Sequence, residues 1–322
     1  MRSIPELQQL IGLAVAEQRF PAQPKELYEP ISYLMQLGGK RMRPVLLLMA
    51  TDLFEGDPEQ ALPAALAIEV FHNFTLMHDD IMDNAPLRRG KATVHEKWSS
   101  SVAILSGDVM LVEAYKLLMK VPASVLEKVL NVFNETAVGV CEGQQIDMNF
   151  EKRSHVSIDE YLEMIRLKTA VLLGGSLSIG ALVAGAPNPQ AQLAYAFGEN
   201  LGIAFQLQDD ILDVYGDPEK FGKQVGGDII SNKKTYLLIK ALETAKGDDL
   251  HSLENWLLSN EVDLKVSAVT ALYDKLGVRT MAEQQMISYA DKALNALQQI
   301  DAPQDRKQEL EAFAQTLLVR EC

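Results

Sequence analysis

The chain has 322 residues, 48% of them hydrophobic and 23% charged, which is enough apolar material for a large core in one or two domains. Its 44 acidic residues outnumber 30 basic ones and give a net charge of −14. That balance argues against a nucleic-acid partner, whose phosphates need a basic footprint, and against a stable anchor on anionic lipid. The two cysteines, Cys141 and Cys322, have neither metal-ligand nor disulfide spacing, and Cys141 reads as a buried apolar residue.

Met1 to Phe20 carries acidic and polar residues through its apolar stretch, as an amphipathic helix does and a signal peptide does not. Gly38-Gly39-Lys40-Arg41-Met42-Arg43-Pro44 follows, with three cations beside two glycines and a proline suited to a helix's first turn. Glycine allows close backbone approach, and Lys and Arg bind phosphate oxygens. Ala64 to Met77 is apolar at helical spacing and leads into Asp79-Asp80-Ile81-Met82-Asp83. A turn-rich stretch from Asn84 to Lys91 then carries Arg88-Arg89-Gly90. Leu111, Tyr115 and Leu118 mark one further helix, and Leu126, Val129, Leu130 and Phe133 another. Lys168-Thr169 opens an uncharged stretch, Ala170 to Pro187, that is short and glycine-bearing and reads as a buried helix rather than a membrane span.

Leu193 to Leu207 repeats the earlier order: an apolar helix leading to Asp209-Asp210-Ile211-Leu212-Asp213, then a turn-rich segment with Lys223. Asp228, Lys233 and Lys234 come next, and from spacing alone these lysines fit a solvated loop as well as a site. Asp305 to Arg320 reads as a terminal amphipathic helix. Pro and Gly punctuation is wide and no linker splits the chain. The expectation is one all-α domain over residues 1–322, a bundle of about a dozen helices around a central cavity.

Each acidic trio places carboxylates at i, i+1 and i+4. Like charges at that spacing destabilise a helix, and burying them is costly unless they are paired or hold metal. Mg²⁺ binds through one or two carboxylates plus substrate phosphates. Two such trios, one followed by an arginine pair, point to a Mg²⁺-dependent site for a phosphorylated substrate.

The ordered set GGKRMRP (38–44), FHNFTLMHDDIMDNAPLRRG (71–90), SGD (106–108), EGQQIDM (142–148), KTA (168–170), FQLQDDILDVYGD (205–217), GKQVGGD (222–228) and SNKKT (231–235) resembles the trans-isoprenyl diphosphate synthases, the head-to-tail polyprenyl synthetase family. The resemblance spans most of the chain. It implies an isoprenoid synthase-like fold and condensation of isopentenyl diphosphate with an allylic diphosphate. It implies Mg²⁺, three ions with bound diphosphate, held by Asp79, Asp80, Asp83, Asp209, Asp210 and Asp213. Arg88, Lys168 and Lys223 resemble contacts to the allylic diphosphate. Lys40, Arg43, His72 and Arg89 resemble the pocket for isopentenyl diphosphate. Thr169 and Gln206 resemble polar groups beside the reacting carbons, and Lys233 a lysine that helps close the site. A homodimer is also implied, and the absence of a targeting signal suggests a cytoplasmic location.

Residues four and five before the first aspartate, Thr75 and Phe74, lie roughly 6–8 Å deeper along the helix axis, with Phe71 below them. In this family the product grows beside that helix, so Phe74 is expected to act as a floor. The pattern resembles enzymes making geranylgeranyl diphosphate, with farnesyl diphosphate or a longer product as alternatives. A terpene cyclase needs no second diphosphate pocket, and regulatory subunits of heteromeric synthases usually lose acidic residues that are intact here. His78, His95, His155, His251, Trp98 and Trp256 read as packing or surface residues, and Asp108 and Gln144 as supporting ones.

Overall fold

A computed structural model describes residues 2–217 and 226–318. Among them the chain is helical apart from one hairpin, β1 (Leu87–Arg88) antiparallel to β2 (Lys91–Ala92). The all-α expectation holds. The described residues form more helices than a dozen, because two single-turn helices and a π-helical turn subdivide what the apolar pattern runs together. The chain divides into two compact units, each assembled from separate stretches.

The first unit comprises Met1–Glu135, Gly175–Tyr195 and Ile300–Glu309. It contains α1 (Ile4–Glu17), α2 (Lys25–Gln36), α3 (Met42–Leu53), α4 (Pro58–Met82), α5 (Val94–Lys97), α6 (Ser100–Leu118) and the start of α7 (Ala123–Glu151). Every residue of α3 from Pro44 to Leu53 is buried, as a helix that is mostly apolar all round requires. α4 begins at Asp57, whose side chain accepts from the Glu59 amide, with Pro58 in the first helical position. It ends where Asn84 turns into the left-handed region at φ 49°, a conformation asparagine tolerates. α6 packs along α4, and Gly107 admits the His78 ring, which a Cβ there would overlap. Buried Asp52 accepts from the Arg2 amide at 2.6 Å and from Arg306 Nη1 at 2.7 Å, tying two distant segments to the end of α3.

The second unit comprises Thr136–Gly174, Ala196–Gln299 and Leu310–Cys322. It contains the rest of α7, α8 (Ile158–Ile165), the start of α9 (Val171–Val183), the latter part of α10 (Asn188–Tyr215), α11 (Gly227–Ile230), α12 (Tyr236–Thr244), α13 (Asp248–Leu257), α14 (Val262–Leu276), α15 (Val278–Gln299) and the end of α16 (Gln304–Leu318). Tyr161, Leu207, Ile211, Leu237 and Tyr273 are among its core residues. α8 starts at a capping box between Ser157 and Glu160. Arg153 grips Glu160 at 2.7 and 3.1 Å, and with the Ser157 amide it holds that carboxyl down to about 2.

Lys168 and Thr169 do not simply open a regular helix. They lie in a π-helical turn, Arg166–Ala170, between α8 and α9, and such turns recur at functional sites. Two glycines hold it. A Cβ on Gly143 of α7 would overlap the Lys168 backbone, and one on Gly202 of α10 would lie 2.7 Å from Ala170 Cα. The stretch Ile158–Val183 is long and apolar enough to cross a membrane, but 78% of its most apolar window is buried inside the protein, as the buried-helix reading requires. Cys141 is a correction: it is exposed, because helical phase puts it on the outer face of α7 while Val140 and Gly143 face inward. Cys322 and Lys223 lie outside the described residues.

Candidate active site

In the first unit, α4 delivers Asp79, Asp80 and Asp83 at its C-terminal end, where the helix dipole is itself negative. The compensating charge comes from the hairpin. Its two turn residues, Arg89 and Gly90, both have positive φ, 54° and 74°, as a tight two-residue hairpin demands. Arg88 then reaches back to α4. Its Nε lies 2.9 Å from both Asp80 oxygens, and its Nη2 is 2.7 Å from Asp80 Oδ1 and 3.8 Å from Asp79 Oδ2. Asp80 is 2% exposed. The hairpin is pinned by Thr93 Oγ1 donating to Ala85 O and by Tyr33 donating to Ala92 O, each at 2.8 Å.

The neighbouring Arg89 turns to the glycine loop. A Cβ on Gly39, whose φ is 141°, would lie 2.7 Å from Arg89 Nη2. Two residues into α3, Arg43 Nη1 is 3.1 Å from His72 Nε2. Arginine can only donate, so Nε2 accepts and the histidine proton sits on Nδ1. Burial, followed by the charges of Arg43, Arg89 and Arg88, holds His72 well below its ordinary pKa, so the ring is neutral. Beneath it Glu69, buried and one helical turn earlier, accepts from Asn73 at 3.2 Å. Burial raises Glu69 and lowers Arg43 to about 10. Lys40 is exposed at the mouth of this loop.

Phe74 and Phe71 form an aromatic ladder with ring centroids 5.6 Å apart, continued by Phe133 of α7 at 5.1 Å and then Tyr115 of α6 at 5.2 Å. His78 stacks edge-on to Phe74 at 4.8 Å and its Nε2 is 3.2 Å from Ile104 O, so it packs rather than meeting a carboxylate. Thr75 Oγ1 donates to His72 O at 2.8 Å. Asp108 is exposed on α6.

In the second unit a small cavity of about 50 Å³ is lined by Asp147, Tyr161, Lys168, Thr169, Gln206, Asp210 and Lys233, among others. Lys168 Nζ donates to Asp147 Oδ2 at 2.6 Å. Asp210 Oδ2 accepts from Tyr161 OH at 2.5 Å and from the Tyr236 amide at 3.1 Å. Burial, with the Asp228 charge adding, pushes Asp210 up to about 7. Lys233 lies 3.8 Å from Asp228; burial would lower its pKa, but Asp228, Asp210, Asp147 and Asp213 outweigh burial and raise it. Asp213 has a structural task, accepting from the Asp228 amide at 2.9 Å through Oδ2 and from the Gly226 amide at 2.6 Å through its carbonyl. Asp209 is partly exposed on α10.

In the first unit the structure brings Arg88 to Asp79 and Asp80, and Arg43 to His72, and in the second it places Lys168, Thr169, Gln206, Asp210 and Lys233 around one cavity. It also adds Glu69, Asp147 and Tyr161. Helical spacing from His72 could have found Glu69, and Asp147 lies within the EGQQIDM stretch. Tyr161 has no local signal; only the tertiary approach of α8 to α10 singles it out.

Among the described residues no three His, Cys, Asp or Glu side chains converge into a ready-made metal cage. A donor set of paired carboxylates still fits Mg²⁺, which is a hard cation and commonly completes its shell with water and substrate phosphate. Carboxyls raised by burial, as Asp210 is, are groups that a bound cation would return to the ionised state.

The polyprenyl synthetase family model matches residues 24–276. The geranylgeranyl diphosphate synthase of Sulfolobus acidocaldarius is 41% identical over 288 residues, covering 87% of this chain and 86% of that protein. A crystal structure of a geranylgeranyl pyrophosphate synthase superposes with a TM-score of 0.95 at 42% identity, covering 100% of both chains. The corresponding Pyrococcus horikoshii structure gives 0.92 at 36% identity, over 99% of this chain and 97% of that one. A helical fold with acidic helix ends and basic clusters of this kind is that of the trans-prenyltransferases. The chain belongs to the polyprenyl synthetase family, and it catalyses short-chain trans-prenyl synthesis.

Proposed function

We propose that this enzyme condenses isopentenyl diphosphate with an allylic diphosphate, in the presence of Mg²⁺, to give geranylgeranyl diphosphate. The observation that carries the reading is the hairpin in the first unit. Arg88 clasps the acidic end of α4, and its neighbour Arg89 abuts the glycine loop next to Arg43 and His72. One short element thus serves two differently built anion sites, which suits two diphosphate substrates and exceeds what a cyclase needs. The similarity to geranylgeranyl diphosphate synthases supports the product length.

In this reading Lys40, Arg43, Arg89 and the Nδ1–H of His72 hold the isopentenyl diphosphate. Arg88, Lys168 and Lys223 contact the allylic diphosphate, and Asp79, Asp80, Asp83, Asp209, Asp210 and Asp213 supply or support Mg²⁺ ligands. Bound Mg²⁺ would neutralise the diphosphate leaving group. The protein's own share is electrostatic and geometric. Fixed guanidinium and ammonium groups stabilise charge where the carbon–oxygen bond breaks. The hydroxyl of Thr169 and the amide of Gln206 face the allylic cation, and apolar walls exclude water that would quench it. Phe74, above Phe71, is the floor for the growing chain, with Thr75 leaving room beside it. We assign residues 1–322 to a single catalytic domain, since the family match runs through both compact units, and we infer a cytoplasmic homodimer using three Mg²⁺ ions.

The test is to incubate the purified chain with isopentenyl diphosphate and dimethylallyl, geranyl or farnesyl diphosphate, with Mg²⁺ or with chelator, and to size the dephosphorylated products. Mg²⁺-dependent geranylgeranyl product is expected. A folded sample that elongates no primer would overturn the assignment, and a farnesyl or much longer product would overturn the length.

A further inference from the structure

We propose that Tyr161 is a positioning residue for Asp210: together with the Tyr236 amide it fixes one carboxylate oxygen, Oδ2, so that only Oδ1 is offered to a divalent cation. The inference rests on Asp210 being a Mg²⁺ ligand. Both hydrogen bonds to this carboxylate fall on the same oxygen, from Tyr161 OH at 2.5 Å and Tyr236 N at 3.1 Å. At 2.5 Å the O–H···O contact lies at the short end of the hydrogen-bond range. Tyr161 is 2% exposed and Asp210 is 7% exposed, and both line the same cavity, so the contact is built into the core rather than formed at a mobile surface.

Two consequences follow from where Tyr161 sits. It lies on α8, seven residues before Lys168, and α8 runs directly into the π-helical turn that carries Lys168 and Thr169. The same hydrogen bond that orients Asp210 therefore also ties α8, the helix leading to that lysine, to α10. The second consequence concerns denticity. A carboxylate with one oxygen saturated binds a cation through the other, and small, octahedral Mg²⁺ tolerates little error in that direction. Groups that orient a ligand in this way typically cost 10–100-fold in metal affinity when removed.

The experiment compares the full-length wild type with Tyr161→Phe, which keeps the ring and removes the donor. Mg²⁺ is titrated calorimetrically into each protein in saturating inorganic diphosphate, and the Mg²⁺ concentration giving half-maximal turnover is measured separately. Tyr161→Phe is expected to weaken Mg²⁺ binding by about tenfold or more. Half-maximal turnover should shift to higher Mg²⁺ by a similar factor, with kcat at saturating Mg²⁺ within a few-fold of wild type. Replacing Tyr161 with 3-fluorotyrosine, which retains a hydroxyl and the packing, should restore wild-type binding. An unchanged Mg²⁺ affinity, with kcat lowered equally at every Mg²⁺ concentration, would reduce Tyr161 to a packing residue and overturn the inference. Should Tyr161→Phe fail to fold, 4-fluorophenylalanine at position 161, which fills the space of the hydroxyl without supplying a donor, takes its place: weakened Mg²⁺ binding supports the assignment, and unchanged binding overturns it. Asp210→Asn separates the two layers. If it weakens Mg²⁺ binding and Tyr161→Phe does not, only the positioning role fails; if it too leaves binding unchanged, Asp210 is no ligand and the underlying reading fails.

Discussion

Gly139 and Gly143 sit one turn apart on α7 and offer a paired test of how the π-helical turn is held. A Cβ at Gly143 would overlap the Lys168 amide nitrogen and stand 2.6 Å from Lys168 Cα and 2.7 Å from Leu167 C. All three are backbone atoms, and contact between carbons is optimal only at about 3.5–4.0 Å. The two segments must part by roughly 1 Å, a cost at or above the top of the usual 1–3 kcal/mol for overpacking. Ala gains about 1 kcal/mol over Gly in a helix interior. Gly143→Ala should thus lose about 2 kcal/mol net. At Gly139 the nearest atom is the flexible end of Leu167, Cδ2 at 3.4 Å, with Val171 Cγ2 at 3.5 Å. The helix gain is then unopposed, and Gly139→Ala should stabilise by about 0.5–1 kcal/mol. Urea unfolding gives both numbers. Steady-state kinetics should show kcat reduced for Gly143→Ala, because Lys168 and Thr169 move with the turn, and unchanged for Gly139→Ala. Equal stability effects at the two positions, or a Gly143→Ala protein as stable and active as wild type, would refute the reasoning.

Asp79→Ala or Asp209→Ala should lower turnover by orders of magnitude with the melting temperature nearly unchanged, since neither aspartate is deeply buried; wild-type rates in either would remove the metal assignment. Phe74→Ala should lengthen the product by at least one isoprene unit, read by chromatography, and cost about 3 kcal/mol from the lost contacts with Phe71 and His78. His72 is held well below its unfolded value of about 6.5, so the unfolded chain binds the extra proton first. Stability from this residue is full above pH 6.5 and declines as pH falls toward the folded pKa; urea midpoints between pH 5 and 7.5 should show a slope that His72→Gln removes. Asp80→Asn should destabilise by about 1–3 kcal/mol, discounted because Arg88 is 23% exposed, and by more than Asp210→Asn, whose amide oxygen can still accept from Tyr161.

Helix content and the acidic ends of α4 and α10 were legible because both depend on local information, the 3.6-residue apolar period and adjacent side chains. The arginine pair was legible too, since Arg89-Gly90 states a tight turn that brings Arg88 back to the helix just left. What lay beyond reach came from contacts distant in sequence. The π-helical turn depends on Gly143 and Gly202, which lie far from Lys168 along the chain, so Lys168-Thr169 read simply as a helix start. Cys141 was misread for a related reason: residue type suggested burial, but helical phase decided it. Asp213 is selected by its place in the motif, but its contacts with the Asp228 and Gly226 amides are set by where the chain returns, which no local pattern states.

Asp80 and Asp210 occupy the same position in two copies of one motif, and both are buried, at 2% and 7% exposure. Burial costs a carboxylate its hydration, and each unit repays that differently. In the first, a guanidinium contacts both oxygens and supplies a full charge, so Asp80 is already neutralised by the protein. In the second, a phenol and a backbone amide supply hydrogen bonds without charge, and both fall on one oxygen. Hydrogen bonds satisfy lone pairs but leave net charge uncompensated. Asp210 therefore retains a demand for positive charge that Asp80 does not, and Lys233, 3.8 Å from Asp228 and lining the same cavity, is the protein's own nearby cation toward it. Repetition in the sequence thus does not repeat the chemistry. In the first motif the buried aspartate is already balanced by a guanidinium, and in the second the buried aspartate itself has reason to recruit a cation.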